Sequence, residues 1–439
     1  MINFLGNHKI GIIGDVNSGK TVLLTALLWN LERGILRLGE HGSKPTSVKV
    51  ENWHPGSKCN FDYAGNKLKL ELASQQESKS GKKPRDYWLD KTTCDYSLAR
   101  CSYDLPRTFF RRDVTFVDIP GERLADVAIW ECPSYSQWSE KLLGQWRSSN
   151  EYSRFLEDFL KVAESLDSSW EELTWAFKCG MRELTNNYVS QISPSTLFFD
   201  DGKLAAPEEV KNDAWLRGRP IWRGGDFFPL PGEWKGKEAY RECEKHYRSY
   251  RKNVIQPIFS QIGSCDNFIY CIDLFKILSS GPILATRNQE ELRSFVNKVV
   301  PGAIKHFFKD TIGHNPRKIA FVATKSDMVY GDNLDKLEGL LRDLTNGCDQ
   351  GKKLSFGYFS CTAWISTVWD EETGQVKGRS WETSTGWTPI DTKPLPEVFP
   401  ECWDPEEYES LATPILPAKA VMKPARQSGL DRILTFVTE

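Results

Sequence analysis

Apolar and polar positions along this chain switch between two spacings, and the switching predicts a layered α/β protein. Lys9–Ile13 is a short apolar run that stops at Gly14, as a buried strand does. Over residues 19–33 the period lengthens, and Val22, Leu23, Leu24, Leu27, Leu28 and Leu31 share a broad helical face that Gly34 ends. Val114–Asp118, Phe268–Ile272, Lys318–Ala323 and Leu354–Phe359 are further buried-strand candidates. With 9–13 they predict one parallel sheet carrying two long insertions. In the first insertion, 35–109, strand-like pieces fall near Val48–Trp53, Lys67–Leu72 and Tyr96–Leu105, and polar Gln75–Arg85 reads as an exposed loop.

The second insertion, roughly 130–255, is mostly helical. Trp138, Leu142, Leu143 and Trp146 recur at helical spacing, as do Leu156, Phe159, Leu160, Ala163 and Leu166. After the Pro/Gly-rich stretch Arg217–Gly236, Glu238–Ile262 is helical again. Trp364–Pro424 reads as turns and hairpins, and Leu430–Val437 as a closing helix. The expected division is 1–129, first part of the sheet domain; 130–255, helical insertion; 256–363, second part of the sheet domain; and 364–439, a turn- and hairpin-rich segment with the closing helix.

Composition narrows this picture a little. A chain of 439 residues, 40% hydrophobic and 26% charged, buries a large core. A net charge of −2 gives no global drive toward nucleic acid or anionic membrane. Arg217, Arg219 and Arg223 interleave with Trp215 and Trp222, a mixture that reads as a solvated loop before it reads as a nucleic-acid surface. The Trp-bearing stretch near 130–146 lacks the basic face of a membrane-surface helix. Eleven cysteines without a C-x-x-C pair suggest neither a disulfide framework nor a zinc site. No signal peptide opens the chain and no run approaches the roughly 20 apolar residues of a bilayer span, so a cytoplasmic protein is expected.

The chemistry is concentrated at strand ends. Gly14-Asp15-Val16-Asn17-Ser18-Gly19-Lys20-Thr21 is a full G-x-x-x-x-G-K-T phosphate loop between a strand and a helix. Its amides are suited to wrap a β-phosphate, Lys20 to reach the β- and γ-phosphates, and Thr21 to offer its hydroxyl to magnesium. Asp118, at a strand end, is the second expected magnesium residue, acting through water. Gly121, closing Asp118-x-x-Gly, is placed to sense the γ-phosphate. Thr324-Lys325-Ser326-Asp327 follows another strand. A carboxylate at Asp327 accepts both N1–H and the exocyclic amine of guanine, with the Lys325 stem over the base and Thr324 bracing the loop. Cys361, Thr362 and Ala363, after a fifth strand, form the short turn that offers a backbone N–H to the guanine O6.

These motifs predict a P-loop NTPase: α/β, a mostly parallel central sheet flanked by helices, plus a helical insertion domain. Together they resemble the GTPase superfamily, and more narrowly the YcjX-like proteins, bacterial P-loop GTPases linked to stress responses. The resemblance is carried also by Asp118-Ile-Pro-Gly-Glu122, by Phe227-Phe228-Pro229-Leu230-Pro231, by Tyr247–Phe259 with Ile269–Leu274, by Ala323–Asp327, and by Gly429–Leu434. It implies a GTPase that hydrolyses GTP to GDP and phosphate with magnesium, as a stress-linked switch. Asn17 departs from the arginine common in that family. It resembles the asparagine of potassium-activated GTPases, so either K⁺ supplies the missing charge or Asn17 only shapes the loop.

Lys20 and Glu122 are the catalytic candidates. Glu122 stands where small GTPases carry a water-orienting glutamine, and a switch-stabilising or merely exposed role is its alternative. Thr46, Thr92, Thr93 and Thr108 are equal candidates for a threonine that meets magnesium only in the GTP state. A scaffold or switch with little hydrolysis, and an ATPase, are the rival functions. The expected partners are a guanine nucleotide and an effector or activating protein, with a second copy of the chain left open.

Overall fold

The computed structural model describes residues 7–15, 18–38, 43–51, 60–75, 96–104, 111–187, 193–200, 203–204, 217, 220–222, 224–299, 317–348, 354–363, 366–380, 388–390, 394–408, 415–416 and 429–439. Strands β1 (Asn7–Gly14), β2 (Thr46–Glu51), β3 (Ser97–Asp104) and β4 (Arg111–Asp118) come first in the chain. A short hairpin, β5 (Phe199–Asp200) and β6 (Lys203–Leu204), follows within the helical region. β7 (Asn267–Ile272), β8 (Arg317–Ala323) and β9 (Leu354–Ser360) complete a seven-stranded sheet of order β2-β3-β4-β1-β7-β8-β9. Five neighbours, β4-β1-β7-β8-β9, run parallel, and β2 and β3 are antiparallel additions at one edge. The five strands expected from apolar runs are these five parallel ones.

Central parallel strands are apolar on both faces, so they read as continuous runs. Ile10 and Ile12 of β1, Ile269 and Cys271 of β7, and Ala320 and Val322 of β8 pack on the same side as α1 (Lys20–Glu32) and the closing helix Leu430–Thr438. Their sequence neighbours, among them Ile13, Phe268, Tyr270, Ile319 and Phe321, are also buried. There Phe295 stands edge-on to Phe268 and Tyr270, at 5.8 and 5.5 Å between ring centroids. α1 is buried on nearly every side, Leu23 to Trp29 all being in the core, which is more than the one broad face its sequence spacing implies.

One expectation is overturned. Lys67–Leu72, expected as a strand, lies inside a helix, Tyr63–Gln75. The Lys-Leu-Lys-Leu-Glu-Leu alternation imitates a strand, yet Lys, Leu and Glu are good helix formers with no β-branch among them. Asp62 starts the turn, its Oδ1 accepting from the Gly65 amide at 2.9 Å as an N-cap does. The polar loop expected at Gln75–Arg85 lies, past Gln75, outside the described residues.

Two compact units result: Met1–Asp90, Ser97–Ile119 and Ile262–Glu439 hold the sheet, and Lys91–Tyr96 with Pro120–Gln261 form a helical body. In the helical body Trp138 is fully buried against Tyr247, Phe227 and Tyr135, with ring centroids at 5.2, 5.7 and 5.9 Å. The extended Phe227–Pro231 segment has no helical partners for its carbonyls. Tyr135 OH donates to Phe228 O at 2.7 Å and Ser139 Oγ to Leu230 O at 2.6 Å, which pays the cost of burying them. Trp138 and Trp146 therefore face a protein core. No helix among the described residues is long and apolar enough to cross a membrane. In the sheet unit, β10 (Thr367–Asp370), β11 (Gln375–Ser380), β12 (Thr388–Ile390) and β13 (Ile415–Leu416) form a small antiparallel sheet within the segment expected as hairpins.

Candidate functional site

The loop after β1 turns on two glycines. Gly14 has φ 144°, and a Cβ there would stand 2.1 Å from the Cys271 carbonyl oxygen, so only glycine lets β1 and β7 run this close. Gly19, at φ 82°, precedes α1 and offers no side-chain cap, leaving the first amides of a 13-residue helix for a ligand. Lys20 is 8% exposed and its Nζ donates to the carbonyls of Gly14 at 2.9 Å and Asp15 at 2.5 Å, which fixes the ammonium at the loop. Ser18 Oγ is fully buried, 2.9 Å from the same Gly14 point, with no hydrogen-bond partner among the described residues. A glycine cradle containing a cation and an orphaned hydroxyl donor fits phosphate oxygens. Val16 and Asn17 lie outside the described residues.

Thr21 and Asp118 are 97 positions apart in sequence, and Thr21 Oγ1 donates to Asp118 Oδ2 at 3.4 Å. The parallel register that pairs Ile12 with Asp118 delivers the carboxylate to the foot of α1. Among the described residues no cluster of three His, Cys, Asp or Glu side chains is arranged for a metal. One carboxylate plus a hydroxyl suits magnesium, which keeps water and takes phosphate oxygens for the rest of its shell.

The second half of the site comes from β8 and β9. Thr324 donates from its amide and its Oγ1 to Ile272 O, at 3.0 and 3.2 Å. Its side-chain carbons are the nearest atoms to a Cβ built on Gly19, at 3.8 Å. Thr324 therefore packs beside the glycine loop. Lys325 adopts a left-handed backbone, φ 60°, and its ammonium is ion-paired with the buried Asp273 carboxylate. Asp327 is half-buried, and Oδ2 accepts from the amide and hydroxyl of Ser366 at 2.6 and 2.7 Å. Burial pushes its carboxyl above the ordinary aspartate range, and the Ser366 hydrogen bonds pull back against that rise.

The turn after β9 is locked to this loop. Ser326 N donates to Cys361 O at 3.3 Å, Cys361 N to Ala323 O at 2.8 Å, and the hydroxyls of Ser326 and Thr362 meet at 2.7 Å. Ala363, the next residue, is half-buried. Cys361 is 1% exposed, and burial pushes its thiol well above the ordinary range.

The expected residues divide accordingly. Gly14, Asp15, Ser18, Gly19, Lys20, Thr21, Asp118, Thr324, Lys325, Asp327, Cys361, Thr362 and Ala363 all belong to the sheet unit. Gly121 and Glu122 open the turn Gly121–Asp126 of the helical unit, and the Glu122 side chain lies outside the described part. Of the switch threonines, Thr46 begins β2 and donates to Asp104 O at 3.5 Å, while Thr92, Thr93 and Thr108 lie outside the described residues. Two residues escaped the sequence reading. Asp273 had a usable signal, an acid directly after a buried strand and before a helical run. Ser366 had none, because only tertiary structure brings it to Asp327.

Glycine cradle, buried lysine and strand-end acids gather at the carboxyl edge of the mostly parallel sheet of an α/β protein, the place where such sheets carry their candidate sites. The chain belongs to the YcjX-like family, DUF463, whose profile matches residues 8–399. No curated protein matches it.

Proposed function

We propose that the protein binds GTP with magnesium in its sheet unit and hydrolyses it to GDP and phosphate. The observation that carries this reading is Thr324, which joins the loop bearing Asp327 to the glycine cradle. This supports reading the glycine cradle as the phosphate site and Asp327 as the base-reading carboxylate of one site. In this reading the amides of Gly14–Thr21 and the buried Ser18 hydroxyl bind the phosphates. The Lys20 ammonium gives up its bonds to the Gly14 and Asp15 carbonyls for β- and γ-phosphate oxygens. Magnesium, held by Thr21 and by Asp118 through water, would neutralise charge on the transferring phosphoryl group. Asp327 accepts the two guanine protons, and the Thr362–Ala363 backbone faces O6. Glu122 is the candidate to orient the attacking water, and Asn17 to ligate a potassium ion.

A switch reading has its own support. The residues directly after Asp118-Ile119 enter the helical unit, so a change at the γ-phosphate has a covalent route into that body. This makes the helical unit the candidate surface for an effector. The test is a titration of the purified chain with GTP, GDP and ATP in magnesium, followed by multiple-turnover phosphate release in potassium and in sodium. Saturable guanine binding that ATP fails to displace is expected. Equal competition by ATP would sink the guanine assignment, and binding without turnover would leave the switch as the function.

A further inference from the structure

The end of β7 touches three parts of this site through three consecutive residues. The Cys271 carbonyl lies against Gly14, 2.1 Å from where a Cβ would stand. Ile272 O accepts both hydrogen bonds of Thr324. Asp273 follows, 6% exposed, with its two carboxylate oxygens doing different work. Oδ1 accepts from the Lys276 amide at 3.1 Å and so caps the helix Leu274–Ser280. Oδ2 takes the ammonium of Lys325, whose side chain is 45% exposed along its length.

We propose that Asp273 is a positioning residue for base recognition: its ion pair with Lys325 holds the lysine stem across the place where the purine ring lies. The inference rests on the guanine-nucleotide reading above. A lysine stem has four rotatable bonds and loses rotamer freedom when it is fixed. Anchoring the ammonium on a buried carboxylate fixes the stem before the base arrives, so that cost is not charged to binding. The carboxylate in turn gains the counter-charge that its burial demands. Because the stem meets the face of the base and not its edge, the gain is the same for guanine and hypoxanthine. Reading of the exocyclic amine stays with Asp327.

The test uses the full chain and measures the affinity of GDP and of IDP with magnesium. Asp273→Asn and Asp273→Ser keep an acceptor for the helix cap and remove the charge. Each is expected to weaken both nucleotides by the same factor, roughly two- to tenfold, the range that immobilising one long side chain costs at an interface. Lys325→Met, on a half-exposed side chain that threatens no core, is expected to give the same loss. The double variant Asp273→Asn/Lys325→Met should bind no worse than either single one. Unchanged affinity in Asp273→Asn, additive losses in the double variant, or a shift in the GDP-to-IDP ratio would each overturn the inference. If the unaltered chain takes up no GDP, the guanine reading itself fails and this inference falls with it, an outcome seen before any variant is made.

Discussion

Both units bury polar side chains, and they do so to opposite ends. In the sheet unit Ser18, Lys20, Asp118, Thr324, Ser326 and Thr362 are all buried at or just after the ends of strands. They bond to backbone carbonyls or across to another loop, and Ser18 is left with no partner among the described residues. In the helical unit Asp126 is fully buried and closed in on itself. Its Oδ1 accepts from Ser195 N and Ser193 Oγ, both at 3.0 Å, and its Oδ2 from Ser195 Oγ and Tyr250 OH, both at 2.6 Å. Arg123 NH1 completes the set, donating to Tyr250 OH at 2.5 Å and Ser195 Oγ at 3.3 Å. A buried network of mutual hydrogen bonds holds a body together, whereas polar groups gathered at strand ends are the candidate contacts of the nucleotide proposed above.

The largest effect that would test this contrast is on stability. Asp126→Ala removes the counter-charge of Arg123, itself 2% exposed, and takes the acceptor from the hydroxyls of Ser193, Ser195 and Tyr250, so it should destabilise the chain by about 3–5 kcal/mol in denaturant unfolding. A loss below about 1 kcal/mol would show that the network is not structural. Lys20→Ala should do the reverse. Turnover is expected to fall by about 10²–10³-fold, the scale of losing one charge-stabilising donor, with the melting temperature nearly unmoved. Phosphate release at the unaltered rate would place the chemistry elsewhere.

Asp327→Asn comes next. In the proposed guanine site, turning one acceptor into a donor would leave a guanine proton donor facing it, a penalty of about 1–3 kcal/mol for an unsatisfied buried group. GTP affinity should drop on the order of ten- to a hundredfold while xanthosine triphosphate, with a carbonyl on that side, gains. Competition binding with the two nucleotides reads both changes, and a parallel loss of both would mean that Asp327 shapes the loop without reading the base.

How much of this was legible from residues alone follows from the range of the forces involved. α1 and the five parallel strands were readable because burial on two faces, or nearly all round, leaves apolar runs that stand out from their surroundings. Gly14–Thr21 and Thr324–Asp327 stood out as candidates because backbone geometry and charge demand fixed residue types at fixed spacing, and the structure places both at the ends of sheet strands. Lys67–Leu72 was misread because a two-residue alternation is weaker than the Asp62 cap together with six helix-favouring residues. Asp273 and Ser366 act through partners 52 and 39 positions away, distances over which no local pattern operates.

The smallest effect is in pH, and there the two units should diverge in sign. Burial raises the Asp327 carboxyl above its ordinary range, and only the ionised form can accept both guanine protons. Guanine affinity should therefore begin to fall on acidification at a higher pH than an exposed aspartate would allow. Burial also raises Asp126, against the pull of its Ser195 and Tyr250 hydrogen bonds and of Arg123. With the folded pKa above the unfolded one, its favourable contribution is fully present below the unfolded value and is lost as pH rises through the folded value. Asp126→Asn carries no such proton, so unaltered protein should gain stability on that variant as pH falls. GDP affinity, and the unfolding free energy of unaltered protein relative to Asp126→Asn, followed between about pH 4 and about pH 8, should thus move oppositely. If the two curves fall together, the site and the helical network are not separately built, and the contrast between the units fails.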